Sequence, residues 1–553
     1  MTSNSVWDLR ATRSMEALRK RPDAAGVHRT PLRAIWRRCP RVLRAAAVRV
    51  VQDLSRPAAA NRRLAILLLG FIVLWTISAE IRNLAVPLPS DMAESFALSR
   101  EWAIGYVKHP PLLNWITAAW FAVMPIAPWS FHLLAMLNAA LALALAWLAA
   151  GCVSDPRRRI MAVALLVLTP IYTFHAANFN HNAISLTLWP LVVLSFFASI
   201  GRANLLWSVL FGAASGLAIL GKYYAGLIVL ACVVAALLHP DRRSYLRSPR
   251  PYLAAASCAL VLAPHLYWLL SNDFVSIAYH LALERSIGPI AVLVSSLSCA
   301  AAYVAYLSLA LLVLWLCLRP WTSAMAHSLV ADWPAKRRII ASIAFLPGIA
   351  PILLMPLAGI AVHSPWTFPA YFFVPLAIVS APRLLVTCRA AAASVGAAML
   401  FSALVLAVSP ILALGNFLLA KPDQAAPYIA LARIATDTWH SRMGGRLEFV
   451  TGTTYRAWYV TFYSPDHPGY SPTPTRIFSR AEIESGWNEH GVLGICGRSD
   501  FACAQWLAQA LPRAERLDIT LPNTFIGLRR PPESYILYLQ PRALTGLMMS
   551  GLH

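Results

Sequence analysis

Long apolar runs alternate with short polar loops along most of this chain. The runs fall at about 64–85, 131–153, 160–176, 183–200, 205–220, 224–238, 252–270, 290–318, 339–360, 368–378 and 390–418. A helix rises about 1.5 Å per residue and a bilayer's hydrocarbon core is about 30 Å thick, so roughly 20 apolar residues make a span. The pattern therefore predicts about eleven transmembrane helices. Pro347, Pro351, Pro356 and Pro375 should bend or break two of them. One further run, 111–123, is too short to span and reads as a helix lying on the membrane surface. After residue 420 the pattern changes: short alternating segments interleave with helical ones, which predicts a small α/β domain over 421–553. Strands are expected over 446–450, 457–462, 492–496 and 535–539, with helices over 481–488 and 499–510.

Composition agrees with lipid as the main solvent. Of 553 residues, 58% are hydrophobic and 13% charged, too few charges to cover a soluble protein of this size. The formal net charge of +23 would suit a nucleic-acid binder, but the arginines lie elsewhere. They collect in the first 63 residues and in every second short loop, as at Arg157–Arg159, 241–250, 321–338 and 383–389. That is the positive-inside bias of a multispanning protein, and no nucleic-acid partner is expected. It places the N-terminus and residues 1–63, a largely disordered basic arm, in the cytoplasm. The first loop, 86–130, and the tail, 421–553, fall on the opposite side. Between arm and tail, 64–420 forms the membrane domain.

The chemically rich loops all fall on that opposite side. The first holds Asp91, Glu94, Tyr106, Lys108 and His109 between two apolar segments. Others carry Asn180, His181, Lys222, Tyr223, Arg285, His363 and Trp366. Ionisable groups at a membrane edge are costly unless they bind or react. Asp91 is the first choice for a general base, and Glu94, three residues on, would share its helical face. Solvated or helix-capping carboxylates are the plainer alternative. Lys108, His109, Lys222 and Arg285 are candidates for gripping a phosphate, with interfacial snorkelling the alternative for Lys108. Tyr106, Asn180, His181, Tyr223, His363 and Trp366 are candidates for a sugar or acceptor site, although aromatic residues also form interfacial belts. A pump or channel would instead carry charges along its spans, which are nearly free of them.

Of nine cysteines, most lie in or beside apolar runs as packing residues. Cys496 and Cys503 lie in the polar tail, where an oxidising compartment would allow a local disulfide. No Cys/His spacing resembles a zinc site. A single acidic cluster would accept a divalent metal but gives no reason to require one.

The first loop reads Asp91-Met92-Ala93-Glu94, then Gly105-Tyr106-Val107-Lys108-His109-Pro110-Pro111-Leu112 with Trp115 following. Supporting segments are Phe179-Asn180-His181-Asn182 with Trp189, Gly221-Lys222-Tyr223-Tyr224, and Pro264 to Trp268. On these residues the chain resembles the dolichyl-phosphate-mannose-protein mannosyltransferase-like membrane glycosyltransferases of GT-C type. That group includes enzymes adding aminoarabinose or galacturonic acid to lipid A or lipopolysaccharide core. The resemblance implies a polyprenyl-phosphate sugar donor, a lipid A, lipopolysaccharide or other envelope acceptor, and a monomer working at the periplasmic face of the bacterial inner membrane. It gives Asp91 the catalytic role and puts His109 and Lys222 near the donor phosphate. Two departures stand out: Met92 follows Asp91 where many members have a second acid, and Lys108 precedes His109 where many have an acid. Protein O-glycosylation, or a lipid or polysaccharide flippase, are the competing expectations.

Overall fold

The structure, a computed structural model, describes residues 44–201, 204–285, 288–319, 321–471 and 480–543, without the side chains of 283–285 and 480–484. The chain divides into Met1–Ala46 and Ala47–His553. Most of the basic arm, up to residue 43, lies outside the described residues. In the second unit, the helix continuing over 47–55 sets Ala47, Val50, Val51 and Leu54 into the membrane-domain core.

Every apolar run is helical. Seven helices among the described residues are long and apolar enough to cross a membrane: Pro57–Asn83, Pro128–Val153, His181–Gly201, Arg250–Ser271, Gly288–Cys317, Ala335–Ala358 and Cys388–Leu419. The remaining runs give shorter helices, including Pro156–Val167, Leu206–Gly221 and Gly226–Leu238. Proline explains part of the shortening. Pro170 ends the regular part of the third run, leaving a π turn over Ile171–His175. The run expected at 368–378 becomes a 3₁₀ segment, Ser364–Phe373, and a short helix, Val374–Val379. Pro347 and Pro351 stay inside a helix. Pro351 has no N–H to give the Pro347 carbonyl four residues back, and the Tyr224 hydroxyl donates to that carbonyl instead, at 3.3 Å. The segment expected to lie on the surface is the ten-residue helix Leu112–Phe121, about 15 Å long and short of a span.

Without a hydrophobic drive between helices in lipid, close backbone approach through small residues holds them together. Gly212 and Gly216 face the helix Arg250–Ser271. A Cβ on Gly212 would stand 2.0 Å from the Ala254 carbonyl oxygen, and one on Gly216 2.8 Å from Val261 Cβ. This contact fixes the end of the Leu206–Gly221 helix from which Lys222 emerges.

The tail forms one five-stranded sheet with order β2-β1-β3-β5-β4, made of β1 (Phe449–Gly452), β2 (Gly469–Tyr470), β3 (Val492–Gly497), β4 (Glu515–Phe525) and β5 (Leu528–Gln540). The first three strands in space run parallel, and β5 and β4 close the sheet antiparallel. A disulfide joins Cys496 on β3 to Cys503 on the helix Phe501–Ala510, whose start Asp500 caps through the Cys503 N–H. The segment expected as a strand at 457–462 is instead a helix, Thr454–Tyr463. Its aromatic and β-branched content favours a strand locally, but burial of Val460 in the tail-domain core and of Tyr459 and Phe462 against the first loop overrides that preference. Tyr459 donates to the Leu88 carbonyl, Tyr463 accepts from the Leu88 N–H, both at 2.9 Å, and Phe462 meets Phe96 edge-on at 5.1 Å. The tail domain thus braces the first loop directly.

Substituting Gly212→Val should therefore cost about 1–3 kcal/mol or more through overpacking. Thermal unfolding in detergent checks it. Gly70→Ala, with nothing within 4 Å of the added Cβ, should leave the midpoint unchanged or higher.

Candidate active site

Pro87 and Pro89 lead into the helix Ser90–Ser99, which sets Asp91, Glu94, Ser95 and Leu98 on one face at positions i, i+3, i+4 and i+7. The opposite face, with Met92, Ala93 and Phe96, is buried. Asp91 lies in the first turn, where the helix dipole favours an anion. The amides of Asn180 and Asn178 both donate to its Oδ2, at 2.8 and 3.4 Å. No protein donor among the described residues reaches Oδ1. Asn180 also works on its own helix, where its Oδ1 accepts the N–H groups of Asn182 and Ala183 and so caps His181–Gly201.

Glu94 and Lys108 form an ion pair, with Nζ at 2.9 and 3.1 Å from the two carboxylate oxygens. Burial pushes the Glu94 carboxyl up from its usual range, opposed by Lys108. For Lys108, burial acts downward but the Glu94 and Asp91 charges outweigh it and hold the ammonium above its ordinary pKa. His109 stands beside two imidazoles, its ring 4.0 Å from that of His181 and 5.1 Å from that of His280. His181 Nδ1 donates to the Gly221 carbonyl and His280 Nε2 to that of Lys108, both at 2.8 Å. Burial, then the neighbouring imidazoles and lysines, lower His109 well below the usual histidine value, so it is neutral at pH 7. Lys222 donates to Asn182 Oδ1 and stands 5.6 Å from the centre of the Trp366 ring. Burial lowers it to about 7, against a raising effect from Asp91.

These groups line one cavity of about 200 Å³. Asp91 also borders a second cleft of about 860 Å³, between the ends of the helices Pro57–Asn83 and Cys388–Leu419 and the tail-domain helix Thr454–Tyr463. One wall of that cleft is apolar, with Ile411, Leu412 and Leu419; the other carries Asn83, Asp423, Tyr455 and Trp458, and no Lys, Arg or His lines it. A larger cavity, about 1150 Å³, lies in the tail domain between Trp439, Arg446 and Arg542, and none of the site side chains above lines it.

Of the residues singled out in the sequence, the first cavity gathers Asp91, Glu94, Lys108, His109, Asn180, His181, Lys222 and Trp366. Tyr106 and Tyr223 are not among its lining. Tyr106 donates to the Glu101 carbonyl at 2.6 Å, and Tyr223 bonds His265 and Ser276. His265 Nδ1 in turn donates to the Ile104 carbonyl, tying the first loop to a long helix. Gly105 lets that helix come near, since a Cβ there would fall 2.2 Å from the Trp268 ring. His363 packs beside Trp366, outside the cavity lining. Arg285 ends the helix Val275–Arg285, and its side chain lies outside the described residues. Sequence reasoning missed Asn178, Asn182, Asn114 and His280. Asn182 sat beside two chosen residues, but nothing in its spacing told it from its neighbours. Among the described residues no three His, Cys, Asp or Glu side chains are grouped to hold a metal ion.

The model for the family described as dolichyl-phosphate-mannose-protein mannosyltransferase matches residues 108–268. This part of the chain carries Lys108, His109, the Asn178–Asn182 segment and Lys222. The structure resembles ArnT from Cupriavidus metallidurans bound to undecaprenyl phosphate, with a TM-score of 0.56 at 13% identity over 86% of this chain and 97% of that one. The chain thus has an ArnT-like fold with seven candidate membrane spans among its described residues, and over part of its length it is similar to proteins named as lipid A and lipopolysaccharide core galacturonosyltransferases. Two relatives from Rhizobium johnstonii illustrate the match. The lipopolysaccharide core galacturonosyltransferase RgtB is 25% identical over 52% of this chain and 59% of its own length. The lipid A galacturonosyltransferase RgtD is 26% identical over 39% and 45%. Each match thus spans less than two thirds of the relative.

Because Lys222 titrates near 7, an anion that needs its ammonium form should bind more weakly as pH rises past 7, by roughly tenfold per unit at the limit of one linked proton. Lys222→Arg keeps its charge and should bind with no such fall. Affinity for an alkyl phosphate probe from pH 6 to 9, taken as the ratio of the two proteins so that the probe's own titration cancels, measures this.

Proposed function

We propose that this chain transfers a sugar from a polyprenyl phosphate to a hydroxyl of lipid A or lipopolysaccharide core, at the periplasmic face of the inner membrane. The observation that carries the reading is the double position of Asp91, which borders both the lysine-bearing cavity and the cleft that no cation lines. An anionic donor phosphate belongs with Lys222, with the neutral imidazole of His109 beside it and Lys108 held by Glu94. The acceptor hydroxyl belongs in the cleft, whose apolar wall suits acyl chains and whose polar wall suits a glycan.

Asp91 Oδ1 takes the proton from that hydroxyl as its oxygen bonds to the anomeric carbon. The bond from that carbon to the phosphate oxygen breaks on the far side, and polyprenyl phosphate leaves with the electron pair. Lys222 stabilises the charge that develops there. One displacement of this kind inverts the anomeric configuration. Asn180 and Asn178 hold Asp91 by Oδ2, so the base is oriented without being neutralised. Asp423 and Asp91 without cations would disfavour an acceptor phosphate inside the cleft, so the reacting hydroxyl belongs to an uncharged stretch of the acceptor. The relatives are galacturonosyltransferases, which makes galacturonic acid the sugar favoured by comparison. Arginine in every second loop supports the periplasmic orientation.

Cells carrying the intact chain and the donor should gain a hexuronic acid increment on lipid A or core by mass spectrometry. Asp91→Asn, at matched membrane insertion, should lower transfer by about 10²–10⁴-fold, the usual weight of a general base. An increment on membrane protein instead would give the chain a protein acceptor. Equal transfer by the variant would remove Asp91 from the chemistry.

A further inference from the structure

Asn114 follows the double proline, in the first turn of the helix Leu112–Phe121. It is 1% exposed, and neither its Nδ2 nor its Oδ1 has a hydrogen-bond partner within normal geometry. The Tyr106 hydroxyl, which donates to the Glu101 carbonyl, lies near enough to accept a weak hydrogen bond from the amide Nδ2, which leaves Oδ1 bare. The side chain lines the 200 Å³ cavity next to Ser95, Leu98 and Leu113 and close to the Glu94–Lys108 pair. A buried amide with its oxygen bare and its nitrogen only weakly paired costs stability. With Leu98 and Leu113 around it, a leucine of similar size would satisfy the packing at no such cost.

We infer that Asn114 is a specificity-determining residue that reads a hydroxyl on the sugar of the donor. The inference rests on the glycosyl-transfer reading above. An amide offers one acceptor and a pair of donors on one rigid plane. A hydroxyl both donates and accepts, so one hydroxyl, or two adjacent ones, satisfies both ends at once. A carboxylate or an ammonium would satisfy only one end. Asn114 therefore selects for hydroxyls at ring positions facing the first-loop helices, whatever charged group the sugar carries elsewhere. A site built this way discriminates strongly, because an analogue lacking the hydroxyl leaves the amide buried and unpaired.

The test uses the full-length protein in detergent, with the variant Asn114→Leu. The probes are undecaprenyl phosphate and short-chain polyprenyl phosphates bearing a uronic acid, a neutral hexose or an aminopentose. The unfolding midpoint of the variant should equal or exceed that of the intact protein, since an unsatisfied amide is removed. Affinity for undecaprenyl phosphate, which has no sugar, should stay within twofold. Affinity for the sugar-bearing probe that the intact protein prefers should fall by about 100-fold or more. A drop of several degrees in midpoint would make the amide a structural partner and overturn the inference. So would an equal loss of affinity for probes with and without sugar. If the intact protein transfers sugar through Asp91 and Asn114→Leu transfers it equally well, the Asn114 inference alone falls. If the intact protein neither distinguishes sugar-bearing probes nor transfers sugar, the glycosyl-transfer reading falls with it.

Discussion

The site depends on how charge is matched where little water reaches it. Seven Asp, Glu, Lys and His side chains line its cavity, and the fold treats them differently. Glu94 and Lys108 neutralise each other at 2.9 Å. Breaking this pair would leave the buried Glu94 carboxylate uncompensated, while the partly exposed Lys108 could turn to water. His109 is kept neutral by burial and cationic neighbours. Asp91 and Lys222 are held mainly by neutral amides: Asp91 by Asn178 and Asn180, Lys222 by Asn182. An amide orients a charge without cancelling it. The two groups that the proposed reaction uses are therefore those the fold leaves with their charge to spend.

That arrangement needs precise placement, and rigid elements supply it. Asn180 joins the cap of a long helix to the Asp91 carboxylate, so the base is fixed to a transmembrane element and not to loop alone. Lys222 follows a helix whose position is set by the Gly212 and Gly216 contact. The tail domain grips Leu88, three residues before Asp91, from both sides of its peptide through Tyr459 and Tyr463. The sheet thus serves the membrane site mechanically, while its own large cavity lies elsewhere.

Much of this was legible along the chain. Apolar run length marked the seven candidate spans, and charged residues at the membrane edge marked Asp91, Glu94, Lys108 and Lys222, because both signals depend on solvation and are local. Proline positions foretold the broken run at Pro375, though not that Pro347 and Pro351 would stay inside a helix with Tyr224 on the carbonyl freed at Pro347. What was hidden depends on contacts distant in sequence. Lys108 reads as a free cation until Glu94, fourteen residues earlier, is seen to face it. The helix Thr454–Tyr463 reads as a strand until its burial against the first loop is known. Asn114 carries no sequence signal, since one asparagine in an apolar helix looks the same whether its amide is satisfied or bare.

The protonation states of the site depend on whether an anion occupies it. With His109 neutral, Lys108 paired and Lys222 near its midpoint at neutral pH, the empty cavity holds little net positive charge. A phosphate entering it raises the pKa of Lys222, so the ammonium forms as the anion arrives. The cavity thus avoids holding a full unpaired cation in a poorly solvated place while it waits, and has one when a leaving group needs it. The same burial that costs the empty site makes the interaction stronger once formed, because the dielectric is low around both charges. A lysine at this position does what an arginine could not, since an arginine would stay charged in both states.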